Sequence, residues 1–570
     1  MGFFDSIIMA PRNVAFTEIE IKAGGRVVDA AVTNAILEAV VDQHTHLPHM
    51  FTLRLHDPYL KHMESKLFDL TKPVEIAVGI NEEPKTKLIA AEITALEPEF
   101  QKGMDAIFVA RGYDKSHRLF RETKSRAFLN VKDSDIARQI ASAAGLQAKV
   151  DSTNTVYENV YQDNQSDLAF LMQRAWRIGY ECFVRDGQLY FRKPPSSGPR
   201  VELEWGVDLV SFSPVMTLAE QVDEVIVKGW DEEKQKAIVG AAKRRSLYPN
   251  IGERKSGAQL AKPFGRGKRV MVDIPVVNQA EANLLAEARL NELSGAFVEA
   301  EGVARNRPEL TAGEFVVIKG TGKRFNGRYL LTQVTHIYDH TGLTTTFTVR
   351  GARAGLLAEQ MLQQEPIQRW PGVVTAVVTN SDDPKKAGRV KLKYPWMADN
   401  AESDWARVVS PGGGPQAGFA ATPGVNDEVM VAFEHGDFNR PFVLGGLWSG
   451  QNKPPPVCDK AQKGETPLIR VWQSRKGHYL LFRDDAEKVV ELATAAGHKI
   501  TLDEKNKKIE IVSQGGHKIT LDDNGKKITI HSNGQIEIKA DSNLNITAGG
   551  AMEVKATGPL TLQGKVVKIN

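Results

Sequence analysis

Paired apolar residues recur through the last part of the chain at shortening intervals. From Leu480 with Phe482 the pairs run Val490 with Leu492, Ile500 with Leu502, Ile509 with Ile511, Ile519 with Leu521 and Ile528 with Ile530. They continue as Ile536 with Ile538, Leu544 with Ile546, Met552 with Val554, Leu560 with Leu562 and Val567 with Ile569. The steps fall from ten residues to eight and then seven. Residues two apart point to the same side of a strand, so each pair shares a face, and Thr501, Glu510, Glu537, Asn545, Glu553 and Thr561 point the other way. The pattern is a ladder of short strands with a single apolar face.

Each rung offers only two apolar side chains, too few to bury that face within one chain. A steady period of this kind signals an architecture that stacks rung upon rung. If three copies wind around one axis, their pairs fill a dry interior and most sheet edges find partners. The expectation for residues 477–570 is therefore a trimeric β-helix needle. Its buried core would be Ile500, Leu502, Ile509, Ile511, Ile519, Leu521, Ile528, Ile530, Ile536, Ile538, Leu544, Ile546, Met552, Val554, Leu560 and Leu562, with Val567 and Ile569 forming a blunt apolar tip. Ordinary hairpins are the alternative for residues 477–530, where Asp523-Asn524-Gly525-Lys526 reads as a two-residue turn. The eight-residue steps after Ile536 contain no matching turn dipeptides.

The whole chain, 570 residues long, is expected to hold three or four domains. A net charge of +3, from 73 basic and 70 acidic residues, argues against nucleic acid as a general partner. No apolar run approaches the ~18 residues of a membrane span, and no secretory signal is recognisable, so synthesis as a soluble cytoplasmic protein is expected. Cys182 and Cys458 sit in unlike contexts and are expected to be free thiols. Met1-Gly2 with Ser6 fits the short acylation pattern, while Phe3, Phe4, Ile7 and Ile8 read as a packing arm.

Residues 1–115 alternate with period two in five segments (15–21, 50–56, 74–78, 89–96 and 106–112) and predict a β-barrel. His44, His46 and His49 lie close together there; a solvated loop fits them better than a metal site, since they share no helical face and no cysteine is near. Residues 116–199 change period. A helix begins at Asp133 or Ser134 and stops at Gly145, a second begins at Ser166-Asp167 and ends at Gly179, and a hairpin turns at Asp186-Gly187. Arg174, Trp176 and Arg177 read as a solvated helix flank sooner than a nucleic-acid patch. Residues 200–365 predict a second barrel with one helix over 279–293. Within it, 234–269 is rich in Lys, Arg and Gly. Lys243, Arg244, Arg245, Arg266, Lys268 and Arg269 suggest a mobile surface loop or a contact to an acidic protein partner.

Pro308-Glu309-Leu310, Gly313, Phe325-Asn326-Gly327, Tyr329, Val334, His336 and Thr345-Thr346-Phe347 resemble the second hub barrel of VgrG proteins and phage baseplate hubs. Residues 366–450 resemble the family's OB-fold module. That stretch contains Gly388-Arg389-Val390-Lys391-Leu392, Tyr394-Pro395-Trp396, Trp405-Ala406-Arg407-Val408, Pro411-Gly412-Gly413-Gly414, Asp427-Glu428-Val429-Met430-Val431 and Arg440-Pro441. Asn426 replaces the family's usual glycine before Asp427, and asparagine tolerates the positive φ expected there. His46 to Phe51, leading to His56-Asp57-Pro58, is similar to spikes of phage-tail-like extracellular injection systems.

The resemblance implies a mainly β chain: two hub β-barrels with a small α/β insert, an OB-fold module, a linker at 451–476 and the trimeric needle. It implies a homotrimer that adapts a hexameric inner tube to a threefold spike, alongside baseplate proteins, a conical tip cap of PAAR-repeat type and possible effector cargo, with transient contact to a target membrane. Such a protein is made in the cytoplasm and ends in an assembled particle, extracellular or delivered into the target envelope.

The linker is too short for a lysozyme domain, and GxSxG, HExxH, paired CxxC and P-loop patterns are absent. No enzymatic activity and no cofactor are expected; the alternative is a trimeric tailspike that degrades cell-surface polysaccharide or cell wall. Asp382-Asp383 and Asp484-Asp485 read as turn acids. His478, His498 and His517 each follow a glycine in a repeated turn and read as structural repeat residues, with a metal ladder as the other option.

Overall fold

The computed structural model describes residues 16–569 apart from 82, 199, 232–233, 235, 246–249, 273, 352–369, 399–400, 461 and 464–465. The N-terminal arm and its acylation pattern lie outside the described residues. The chain divides into two units, one ending at Leu447 and one beginning at Trp448.

Alternating β-branched and polar residues make the first unit mainly β. Its largest element is an 11-stranded sheet that draws strands from both β-rich stretches. The joint is strand Ile36–His44, absent from the sequence expectation, which pairs antiparallel with Met50–His56 on one side and with Gln333–Asp339 on the other. The stretches expected as two barrels therefore share one hydrogen-bond ladder, across the register Val41↔His336. Each retains its own core. Phe51, Leu53, Leu55, Ile76 and Phe108 fill one, and Phe297, Val316, Ile318, Tyr329 and Val334 fill the other.

Residues 236–245 and 268–271, expected as a mobile loop or partner contact, are largely ordered by pairing. Strand Glu224–Asp231 takes Lys236–Ala242 antiparallel and Lys268–Met271 parallel. Helix Gln279–Gly295 lies on this small sheet. The approach requires Gly240, because a Cβ there would sit 2.2 Å from the backbone carbon of Ala282.

The α/β insert follows the sequence closely. Ser166 Oγ accepts from the amide of Ala169 at the start of helix Asp167–Arg177, and Asp135 accepts from the Lys132 amide at the start of Asp133–Ala143. Asp186 and Gly187 both have positive φ (52° and 73°), the geometry of a type I′ hairpin between Glu181–Arg185 and Gln188–Arg192.

Five strands (Val374–Asn380, Lys391–Lys393, Arg407–Val408, Glu428–Phe433 and Pro441–Gly446) form the next sheet. Asn426 has φ 70°, so asparagine does take the positive angle. Of the turn acids, Asp383 is structural: Arg389 donates to both its oxygens, and the amides of Lys385, Ala387 and Arg389 donate as well. These bonds, chiefly those from Arg389, hold its carboxyl well below the usual carboxylate range.

In the second unit, Ile469–Gln473, Tyr479–Arg483, Val489–Ala493, Lys499–Asp503, Lys508–Val512, Lys518–Asp522 and Lys527–His531 pair in sequence order, each antiparallel to the next. Within one chain, residues 469–531 thus adopt the hairpin arrangement. The turn at 523–526 differs from expectation. Positive φ falls on Lys526 (46°), after Asn524-Gly525, and the loop spans all four residues between the paired Asp522 and Lys527. Lys507 repeats this (φ 52°), and Lys488 does so in a longer loop (φ 48°).

Among the described residues, none from 532 to 569 is assigned to a strand. The buried core expected for the far end of the ladder is one that three copies would make. Within one chain Ile536, Ile538, Leu544, Ile546, Met552, Val554, Leu560 and Leu562 are exposed instead of buried. The physical reason is that two apolar side chains per rung cannot cover each other, and the single chain supplies no second layer to pack over them.

Candidate functional site

The meander places the apolar pairs opposite one another. Leu492 faces Ile500, Ile500 faces Ile511, Ile511 faces Ile519 and Ile519 faces Ile530; in the parallel row, Val490 faces Leu502, Leu502 faces Ile509, Ile509 faces Leu521 and Leu521 faces Ile528. Cross-strand neighbours share a face, so the register builds a two-wide apolar stripe. Within the single chain this stripe has no cover. Ile500, Leu502, Ile509, Ile511 and Ile519 are 38–47% exposed, and Ile528 and Ile530 reach 70% and 59%. Further along, Ile536, Leu544, Met552 and Leu560 are 53–55% exposed, and their partners Ile538, Ile546, Val554 and Leu562 are 64–68% exposed. Val567 and Ile569 continue the series at 51% and 85%. The dry interior expected of these side chains is therefore not made by one chain. An open groove of about 600 Å³ runs beside the stripe, lined by Trp472, Leu480, Leu492, Ile500 and Ile511.

The opposite face is better covered. Thr501 is buried (8% exposed), although the sequence pattern points it to water. Lys499 reaches across to Glu491 (3.1 Å) and Lys518 to Glu510 (2.5 Å) on this side. The chain leaves its greasy face to solvent and shelters its polar one, the reverse of what a sheet complete in itself does.

Other residues singled out from the sequence fall elsewhere. Lys243 and Arg266 both pair with the buried Glu224 (3.4 and 3.0 Å), and Arg245 donates to the Val222 carbonyl. Lys268 and Arg269 stand exposed on their strand and Arg244 precedes the undescribed residues. Half of this basic set therefore has internal partners.

The histidine loop is not solvated: His46 and His49 are buried, the first accepting from Trp176 Nε1 (3.0 Å), the second donating Nε2–H to the His44 carbonyl (3.1 Å). Burial pushes both imidazoles down to about 4. Arg174 and Arg177 are likewise internal. Arg174 pairs with Asp133, and Arg177 with the fully buried Glu281 (3.0 Å), which also accepts from Tyr157 (3.0 Å). A single helix turn carries no mark of this in the sequence, because the partners lie 41 and 104 residues away.

Among the described residues, no group of three or more His, Cys, Asp or Glu is placed to hold a metal ion, and no helix is long and apolar enough to cross a membrane. Cys182 and Cys458 are free.

Two family models match the chain: the Alg8 N-terminal domain over residues 57–339, and the type VI secretion system/phage-baseplate injector OB domain over residues 374–448. Type VI secretion system spike protein VgrG5 of Pseudomonas aeruginosa is 38% identical over 100 residues, which are 16% of this chain and 13% of that protein. Actin cross-linking toxin VgrG1 of Vibrio cholerae is 29% identical over 132 residues, 22% of this chain and 12% of that one. The chain thus matches about an eighth of the length of these curated relatives. A chain of the half-lidded Francisella PdpA-VgrG complex aligns with a TM-score of 0.51 at 9% identity, over 87% of this chain and 88% of that one, a likeness of fold. The chain is similar to VgrG spike proteins and carries the injector OB domain.

Proposed function

We propose that this chain is the structural hub and spike of a contractile injection machine, working as a homotrimer. One observation carries the proposal: the two-wide apolar stripe of the second unit lies exposed on a sheet whose other face is already sheltered. Three stripes turned toward a common axis exclude water from all of them at once. Fully burying each such side chain is worth about 1.5–3 kcal/mol before entropy is counted. Residues 532–569 keep the apolar spacing, and in this arrangement Ile538, Ile546, Val554 and Leu562 find cover, and their backbone finds strand partners, in the other copies. The likeness to VgrG spikes and the injector OB domain support the machine to which such a needle belongs.

In this reading the β-rich first unit, in three copies, meets a hexameric inner tube and the baseplate, the needle crosses the target envelope when the sheath contracts, and a conical cap of PAAR-repeat type covers the exposed Val567 and Ile569. Its place is in the assembled particle, outside the cell or delivered into the target envelope. The chain contributes rigidity, with no reaction of its own. Solution mass at micromolar concentration tests it. A species of three chains is expected; a monomer would refute the needle, and release of saccharide from capsule or cell wall would refute the purely structural role.

A further inference from the structure

Three histidines outside the apolar stripe form a regular system that the spike role does not use. Each closes the same turn. The amides of Ser474, Thr494 and Ser513 donate to the carbonyls of His478, His498 and His517 (2.8, 2.9 and 3.0 Å), and each histidine amide donates back to the hydroxyl of that Ser or Thr (3.1 Å in all three). Gly477, Gly497 and Gly516, just before the histidines, supply positive φ (88°, 97° and 82°). Each ring then reaches the next turn on the same side. His478 Nδ1 accepts from the Ala495 amide (3.2 Å), His498 Nδ1 from the Gln514 amide (3.4 Å), and His517 Nδ1 from the Asn533 amide (3.3 Å), with Ser532 Oγ 2.9 Å from the same atom. The fourth turn, Ser532-Asn533-Gly534-Gln535, has glutamine in place of histidine and receives the ladder without extending it.

We infer that His478, His498 and His517 are turn staples that lock neighbouring hairpins of the shaft in register, each as the neutral tautomer with its proton on Nε2. The chemistry follows from one atom. A backbone amide can only donate, so Nδ1 must present its lone pair, which places the ring proton on Nε2. The same geometry disfavours a metal ladder, because the Nδ1 lone pair is engaged and Nε2 carries the proton.

Hydrogen exchange on the full chain, corrected for intrinsic rates, reads the staples at Ala495, Gln514 and Asn533. Loss of one such bond is expected to speed exchange of the amide it holds about five- to tenfold. In His498→Asn, whose Oδ1 stands where Nδ1 did, Gln514 should stay protected. In His498→Leu it should exchange about five- to tenfold faster, with Ala495 unchanged. Retained protection of Gln514 in His498→Leu, or its loss in His498→Asn, would overturn the inference.

Discussion

The two units solve opposite problems. The first takes charged groups inside and gives them partners: Glu281 is fully buried, yet it accepts from Tyr157, from Arg177 and from the Val277 amide (2.7 Å). The second keeps its charges at the surface and leaves its apolar residues there too, as Ile511 (44% exposed) and Ile530 (59%) illustrate. A buried charge must find compensation within the same fold or the fold fails. An exposed apolar stripe costs the monomer little directly, and its burial can wait for another molecule. One unit therefore compensates its buried charges within a single chain, while the other leaves an apolar face that the proposed trimer would complete.

Five substitutions would break or sharpen that contrast. The largest effect is expected from Ile511→Asp, which places three unpaired charges at the proposed axis. It should abolish trimers in a solution mass measurement, whereas Thr520→Asp, on the opposite face, should leave them intact; equal behaviour of the two would erase the distinction between faces. In the first unit, Glu281→Ala strands the Arg177 guanidinium and should cost about 3–5 kcal/mol in denaturant unfolding without altering the trimer mass.

A smaller effect concerns acid. His336 is buried, accepting from Thr345 Oγ1 and donating to the Leu310 carbonyl (3.0 Å each), and burial lowers its ring to about 4. The unfolded imidazole binds protons more tightly, so its stabilising contribution is present above about pH 6.5 and is lost as pH falls toward 4. In His336→Gln, the stability lost between pH 7 and pH 5 should shrink by about 2 kcal/mol relative to wild type. Asp114 and Glu181, raised by burial to about 6 and about 7, run the other way, losing stability as pH rises. Comparison with the single variant isolates the histidine from them. The smallest effect is expected from Lys507→Gly. It relieves a left-handed lysine (φ 52°) and should raise shaft stability by about 0.5–1 kcal/mol, read as a shift in the thermal midpoint.

Local signals were legible wherever the controlling atoms lie close in sequence. The insert's second helix starts where Ser166 caps it, Asp186-Gly187 turns as its residues require, and Asn426 accepts the angle that glycine usually takes; the first helix is capped at Lys132, ahead of the expected Asp133 or Ser134. Reading failed where the partner is distant. His46 and Arg177 looked like surface residues because Trp176 and Glu281, which enclose them, are 130 and 104 residues away. The strand Ile36–His44 was missed although it joins both halves of the main sheet, since neither of its pairings is visible from its own residues. The Asn524-Gly525 dipeptide misled for a different reason: a four-residue loop moves the positive φ to Lys526. Burial of Ile538, Ile546, Val554 and Leu562 was expected between three copies; spacing fixes only the side they share, and one chain leaves that side to solvent.

The sequence alone determined that the paired residues from Leu480 to Ile530 share one apolar face, because along a strand a period of two sets which side chains share a side whatever the pairing. Only the tertiary structure decided that residues 469–531 pair as consecutive hairpins, that the ladder of paired apolar residues is left open while the polar face is sheltered, and that three turn histidines bridge neighbouring loops. Register and cover depend on contacts between segments, and a pattern along one strand carries no energy term for what lies across from it.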